Sequence, residues 1–106
     1  MLEEYQKKLE RLCKRLKWKY APPVVNVARL SEEVGEVARA VLHEENIKPR
    51  KAGENDQNVG EELADVLLVV LWLANSMKID LDKELRRVFE KVEKRDAGRY
   101  KGTKYS

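Results

Sequence analysis

The sequence predicts an all-α fold: four main antiparallel helices forming a bundle that oligomerises through its central helices. Three observations carry that prediction. Apolar residues recur at spacings of three and four along four separate stretches, the period of a helix with one buried face. Breakers and capping residues, Pro22 with Pro23, Asn58 and Asp80, stand just before a new periodic stretch. The third stretch, from Leu63 to Leu73, is apolar on every side except at Asp65, and a chain of 106 residues is too short to cover such a helix with its own other helices. That helix is therefore expected at the centre, with part of its surface in a subunit interface.

The first helix is predicted from about Leu2 to Trp18. Leu2, Tyr5, Leu9, Leu12 and Leu16 form its apolar stripe, and Lys7, Lys8, Glu10, Arg11, Lys14 and Arg15 its wet side. Two consecutive prolines end it in an extended turn. The second helix begins near residues 24–27 and reaches about Glu45, with Val27, Leu30, Val34, Val37, Ala38 and Val41 facing inward and Arg29, Glu32 and Arg39 pointing more toward water. Gly35 lies inside it, where a small residue either admits a close neighbour or is simply tolerated, at a cost of about 1 kcal/mol relative to alanine. Residues 46–58 are polar, with Pro49 and Gly53 and no stripe, so they are read as a flexible connection or a lid. Asn58 with Glu61 three residues later resembles a capping box opening the third helix, about Val59 to Met77. Asp80 is the expected N-cap of the fourth helix, which runs to about Lys94 with Leu81, Leu85, Val88, Phe89 and Val92 on its apolar face. From Arg95 the chain reads as a flexible basic tail. Residues 1–106 thus make one domain.

Composition narrows the function classes. Charged residues make up 39% of the chain, with both signs interspersed, and the net charge is only +3. No concentrated basic stripe precedes the tail, so nucleic acid is not an expected partner. Cys13 is the one cysteine and His43 the one histidine, which excludes an intramolecular disulfide, a thiolate zinc cage and a histidine-rich metal site. The acidic start, Met1-Leu2-Glu3-Glu4, lacks the apolar core of a signal peptide, and the longest apolar run, Val66 to Ala74, is about half of a membrane span. The expectation is a cytoplasmic protein with no membrane partner.

Chemistry concentrates between Arg29 and Asp65. Glu33 and Glu36 are three residues apart, as are Glu62 and Asp65, and such pairs lie about 60° apart around a helix, one turn above the other. If the two helices pack side by side, four carboxylates converge on one volume. Ionised acids beside a core require compensation. Hard oxygen ligands suit Mg²⁺, Ca²⁺ or Mn²⁺. Di-iron bundles use Glu-x-x-His pairs, which this chain lacks. All-carboxylate ligation fits Mg²⁺ or Mn²⁺ with a phosphate substrate completing the coordination.

Glu32-Glu33-Val34-Gly35-Glu36 followed by Glu62-Leu63-Ala64-Asp65 resembles the EExxE…ExxD signature of the MazG-like nucleoside triphosphate pyrophosphohydrolases. The flanks agree: Leu30 before the first motif, Val66-Leu67-Leu68 after the second, and Ile79-Asp80-Leu81 opening the next helix. The resemblance covers about residues 24–100. It implies an all-α homodimer or homotetramer that hydrolyses a nucleoside triphosphate between its α- and β-phosphates with Mg²⁺, releasing pyrophosphate. Glu33, Glu36, Glu62 and Asp65 would ligate the metal, and Glu32 would support the ligands or orient water beside Glu33. Lys91 matches a phosphate-contacting basic residue. Relatives often follow it with an asparagine and an arginine-aromatic pair; here Lys94 and Arg95 stand at the asparagine's place, and Arg99-Tyr100 resembles the pair. Trp18 and His43 fall near positions whose aromatic rings sandwich the base in relatives, and each also has a packing role open to it.

Three other readings share these features. Phosphoribosyl-ATP pyrophosphohydrolases have the same fold and similar acids. A non-catalytic helical interaction module would keep the acids for folding or metal-dependent assembly. A nucleic-acid binder would rely on the basic tail and bind with strong salt dependence.

Overall fold

The computed structural model describes residues 1–46 and 58–96. All regular structure among them is helical: α1 (Leu2–Leu16), α2 (Pro23–Glu44), α3 (Val59–Ser76) and α4 (Leu81–Asp96). α2 lies along α3, α1 packs on α3, and α4 rests against α1.

Each junction has a local cause. α1 stops two residues before the expected Trp18 because Lys17 turns left-handed, at φ 58°. Lys17 N–H then donates to the Lys14 carbonyl at 3.3 Å and Trp18 N–H to the Cys13 carbonyl at 2.9 Å, the paired bonds of a Schellman cap. The same device ends α3: Lys78 has φ 57°, and Ile79 N–H donates to the Ala74 carbonyl at 2.8 Å. The prolines do not merely break the chain. Pro22 is the N-cap of α2 and Pro23 its first residue, a position where proline's missing N–H costs nothing. Asn58 caps α3 as expected, its Oδ1 accepting from Glu61 N–H at 3.0 Å. Asp80 caps α4, its Oδ1 accepting from Lys83 N–H at 3.2 Å. α4 continues through Arg95 to Asp96, so Arg95 is helical rather than the start of a tail.

The core is small. Leu9 and Cys13 of α1 meet Leu71 of α3, with Leu2, Tyr20, Trp72 and Leu81 packed around them. A polar lattice locks this layer. Gln6 Nε2 donates to Asn75 Oδ1 at 3.0 Å and to the Ile79 carbonyl at 2.7 Å, while Gln6 Oε1 accepts from Leu81 N–H at 3.0 Å. Asn75 Nδ2 in turn donates to the Gln6 carbonyl at 3.0 Å and to the Tyr20 hydroxyl at 3.1 Å. One side chain thus fastens α1 to the α3–α4 turn. Asp82 adds a second link, because its carboxylate accepts from the backbone N–H groups of Leu2 at 3.1 Å and Glu3 at 3.3 Å and so caps α1 from α4.

Ala40 of α2 is 0% exposed and Ala74 of α3 is also buried, small residues that let neighbouring backbones come close. Gly35 has no such role among the described residues: a Cβ added there meets none of their atoms within 4 Å. α3 is not covered all round. Leu63 is 50% and Leu67 56% exposed, and on α4 Leu85, Val88, Phe89 and Val92 are exposed as well. The lid or connection expected at residues 46–58 lies, apart from its ends, outside the described residues, as does the tail after Asp96.

Candidate metal centre

The α2–α3 contact builds the site. Positions 26, 29, 33, 36 and 40 recur at three and four and so form one stripe of α2. Asn26 and Ala40, at its two ends, are both 0% exposed. On α3 the matching stripe is Glu62, Asp65, Val69 and Trp72. Arg29 meets Trp72 while Glu33 meets Glu62 and Asp65, so the two helices run antiparallel with these stripes face to face.

One carboxylate oxygen from each of Glu33, Glu62 and Asp65 lies within 4.8 Å of the other two. Glu33 and Glu62 are half-buried and Asp65 is exposed. Within this chain Asp65 stands at the solvent edge of the group. Partial burial, then the charges of Asp65, Glu36, Glu33 and Glu61, push the Glu62 carboxyl above the usual carboxylate range. None of the three acids has an ion-pair partner among the described residues. Glu36 lies one turn on from Glu33, close enough to act on Glu62, and its carboxylate is 3.8 Å from the Arg39 guanidinium. The structure therefore groups three of the four expected ligands, with the fourth at the rim.

The donor set fits a hard cation. Mg²⁺ holds oxygens at about 2.0–2.1 Å, so opposite ligands stand about 4 Å apart, and modest rotation of these carboxylates would let them share an ion. An ion there would favour the ionised form of Glu62 and offset both the partial burial and the neighbouring charges that raise it.

The other expected site residues divide. Glu32 is exposed on α2 beside Glu33. Trp18 stacks on Trp72, with ring centroids 5.9 Å apart and planes at 26°, and Tyr20 meets Trp72 edge-on at 6.3 Å and 85°. His43 is half-buried in the last turn of α2, beyond Glu36 from the triad. Lys91 is exposed on α4. Arg95 pairs with its neighbour Asp96 through two bonds of 3.1 and 3.0 Å. Both lie on the helix that rests against α1, not on the pair that carries the acids.

The stripe also reveals two residues that sequence reasoning did not select. Arg29, expected to face water, places its guanidinium carbon 5.6 Å from the Trp72 ring centre. Its position was readable as four residues before Glu33 and seven before Glu36. Trp72 follows Asp65 by seven.

A family model described as the MazG nucleotide pyrophosphohydrolase domain matches residues 23–100. The chain belongs to the MazG family. Membership places it among hydrolases of the pyrophosphatase class. Within that family the chain is similar to YpjD of Bacillus subtilis, an uncharacterised protein, at 40% identity over 99 residues that span 93% of this chain and 89% of YpjD. The crystal structure of YpjD, described as a candidate pyrophosphatase, superimposes with a TM-score of 0.79 at 38% identity, covering 91% of this chain and 96% of that one. The MazG match contains both acid pairs, α2, α3 and α4, and leaves out α1. Among the described residues, no helix is long and apolar enough to cross a membrane.

Proposed function

We propose that this MazG-family chain hydrolyses nucleoside triphosphates, deoxy or non-standard ones included, to the monophosphate and pyrophosphate, with Mg²⁺ as cofactor and Mn²⁺ as a substitute. The observation that carries the reading is the convergence of Glu33, Glu62 and Asp65 across two antiparallel helices. Three mutually repelling carboxylates without a basic partner among the described residues are costly unless a cation joins them. When bound, Mg²⁺ would offset charge on the phosphates and draw the triphosphate to the acids.

The chain's own groups then divide the work. Glu33, Glu62 and Asp65 hold the ion, and Glu36, restrained by Arg39, supports them from the next turn. Glu32, exposed and adjacent in sequence to Glu33, orients water and accepts its proton. Water adds at the α-phosphorus, the bond to the bridging oxygen breaks, and pyrophosphate departs. Trp18 stacks at the Arg29 end of the acid stripe and His43 lies in the last turn of α2 at the other, so within one chain the two do not flank a single base; Lys91 and Arg95, on α4, would reach phosphate from a neighbouring copy. The exposed apolar surfaces of α3 and α4 are covered in a homodimer or homotetramer, because contiguous apolar patches of this kind mark interfaces.

A panel of standard, deoxy and damaged triphosphates, scored for pyrophosphate release with Mg²⁺, tests the reading. Release that disappears in Asp65→Asn and Glu62→Gln with helical content intact supports it. Full activity in both variants, or turnover of phosphoribosyl-ATP alone, overturns it.

A further inference from the structure

The proposed reaction liberates pyrophosphate, yet the helices that build the acid cluster are poor in cations. α2 and α3 together carry two arginines and no lysine. Arg39 is spent on Glu36 at 3.8 Å. Arg29 is exposed and has no ion-pair partner among the described residues. It occupies the same stripe of α2 as Glu33, four residues away, or about 6 Å along the axis. It is also held: its guanidinium carbon lies 5.6 Å from the centre of Trp72, whose ring is fixed by the Trp18 stack and the Tyr20 edge. A guanidinium within cation–π range of an indole is restrained by it and loses less freedom on binding than an unsupported lysine.

We propose that Arg29, seated on Trp72, is a phosphate-binding residue of this site, donating to the oxygens of the triphosphate and of the departing pyrophosphate. The proposal rests on the hydrolase reading only for the identity of the anion. Planar donors beside a candidate cation site match phosphoryl oxygens, and the pair of contacts from Arg29 and from an ion at Glu33, Glu62 and Asp65 would span adjacent phosphates. Trp72 acts as a positioning residue: it aims the guanidinium and touches no reacting atom.

The chain offers its own reporter. Both of its tryptophans, Trp18 and Trp72, lie in this stack. Inorganic pyrophosphate with Mg²⁺, titrated into the full chain, should change tryptophan fluorescence, and calorimetry should give the affinity. Arg29→Gln should weaken pyrophosphate roughly ten- to a hundred-fold, the loss of one charge-assisted contact, with unchanged helical content. Arg29→Lys should fall between, retaining charge without the planar seat. Equal pyrophosphate affinity in the wild type and Arg29→Gln would overturn the proposal, even with triphosphate hydrolysis intact. Arg29-dependent pyrophosphate binding in a wild-type protein that releases no pyrophosphate from any triphosphate would leave this site standing and remove the hydrolase reading.

Discussion

Glu33 on α2 and Glu62 on α3, 29 positions apart in sequence, bring carboxylate oxygens within 4.8 Å of each other and of Asp65. Partial burial first, and then the neighbouring negative charges, push the Glu62 carboxyl above the usual carboxylate range. Because its folded value lies above the unfolded one, ionised Glu62 opposes folding at neutral pH, and the penalty fades as pH falls through the folded value. The metal-free protein should therefore gain stability, from this group, on mild acidification. Mg²⁺ should reverse the trend, raising Tm most at neutral pH and losing its effect as Glu62 protonates. Thermal melts across pH 4–8, with Mg²⁺ and with chelator, check both slopes; Glu62→Gln should remove both.

The same geometry orders the acids by consequence. Glu33→Gln, Glu62→Gln and Asp65→Asn remove members of the triad and should each lower kcat by 100-fold or more, on the order of what a preorganised charged group supplies. Glu36→Gln removes an acid already engaged with Arg39 and should cost less. Steady-state pyrophosphate release on the four variants gives the ranking, and a Glu36 effect as large as that of Glu62 would move Glu36 into the triad.

Asn75 fastens three segments through Gln6 and Tyr20. Asn75→Ala leaves the Gln6 amide and carbonyl short of partners and should destabilise the fold by about 1–3 kcal/mol. Tyr20→Phe loses a single bond and should cost about 0.5–1.5 kcal/mol. Urea denaturation distinguishes the two, and the double variant should fall short of the sum because the residues share that bond.

Ala40, with no exposed surface, sits on the stripe that carries Glu33 and Glu36. Ala40→Leu should overpack this contact, costing about 1–3 kcal/mol. It should also push Glu33 away from Glu62, so metal-induced stabilisation should fall further than folding stability explains.

Lys17 and Lys78 hold left-handed conformations that a side chain disfavours. Glycine at either position relieves a strain of about 1–2 kcal/mol against an entropic cost of about 0.5–1 kcal/mol, so each substitution should raise stability, read by urea denaturation, by up to about 1.5 kcal/mol.

Much of this was legible in the sequence because helices announce themselves by period and by caps. Asn58 and Asp80 fulfil their capping roles, and the two acid pairs meet because i, i+3 spacing on each helix leaves few alternatives once the helices pack. What escaped depends on which stripe faces which neighbour. Arg29 is exposed, as its polarity suggested, and only the position of Trp72 across the contact shows that it also lies over a ring. The helix around Asp65 read as apolar on every side but that one, and Leu63 and Leu67 beside it are half exposed in this chain. The α1 boundary missed by two residues, since nothing in Lys17 signals a left-handed turn as a glycine would.

The central claim is that the Glu33, Glu62 and Asp65 carboxylates share one divalent ion that meets the triphosphate. Anomalous diffraction from crystals grown with Mn²⁺ and a non-hydrolysable nucleoside triphosphate tests it directly. The account predicts a manganese peak bridging those three side chains and the phosphates; a bound nucleotide with no metal between these residues would contradict it.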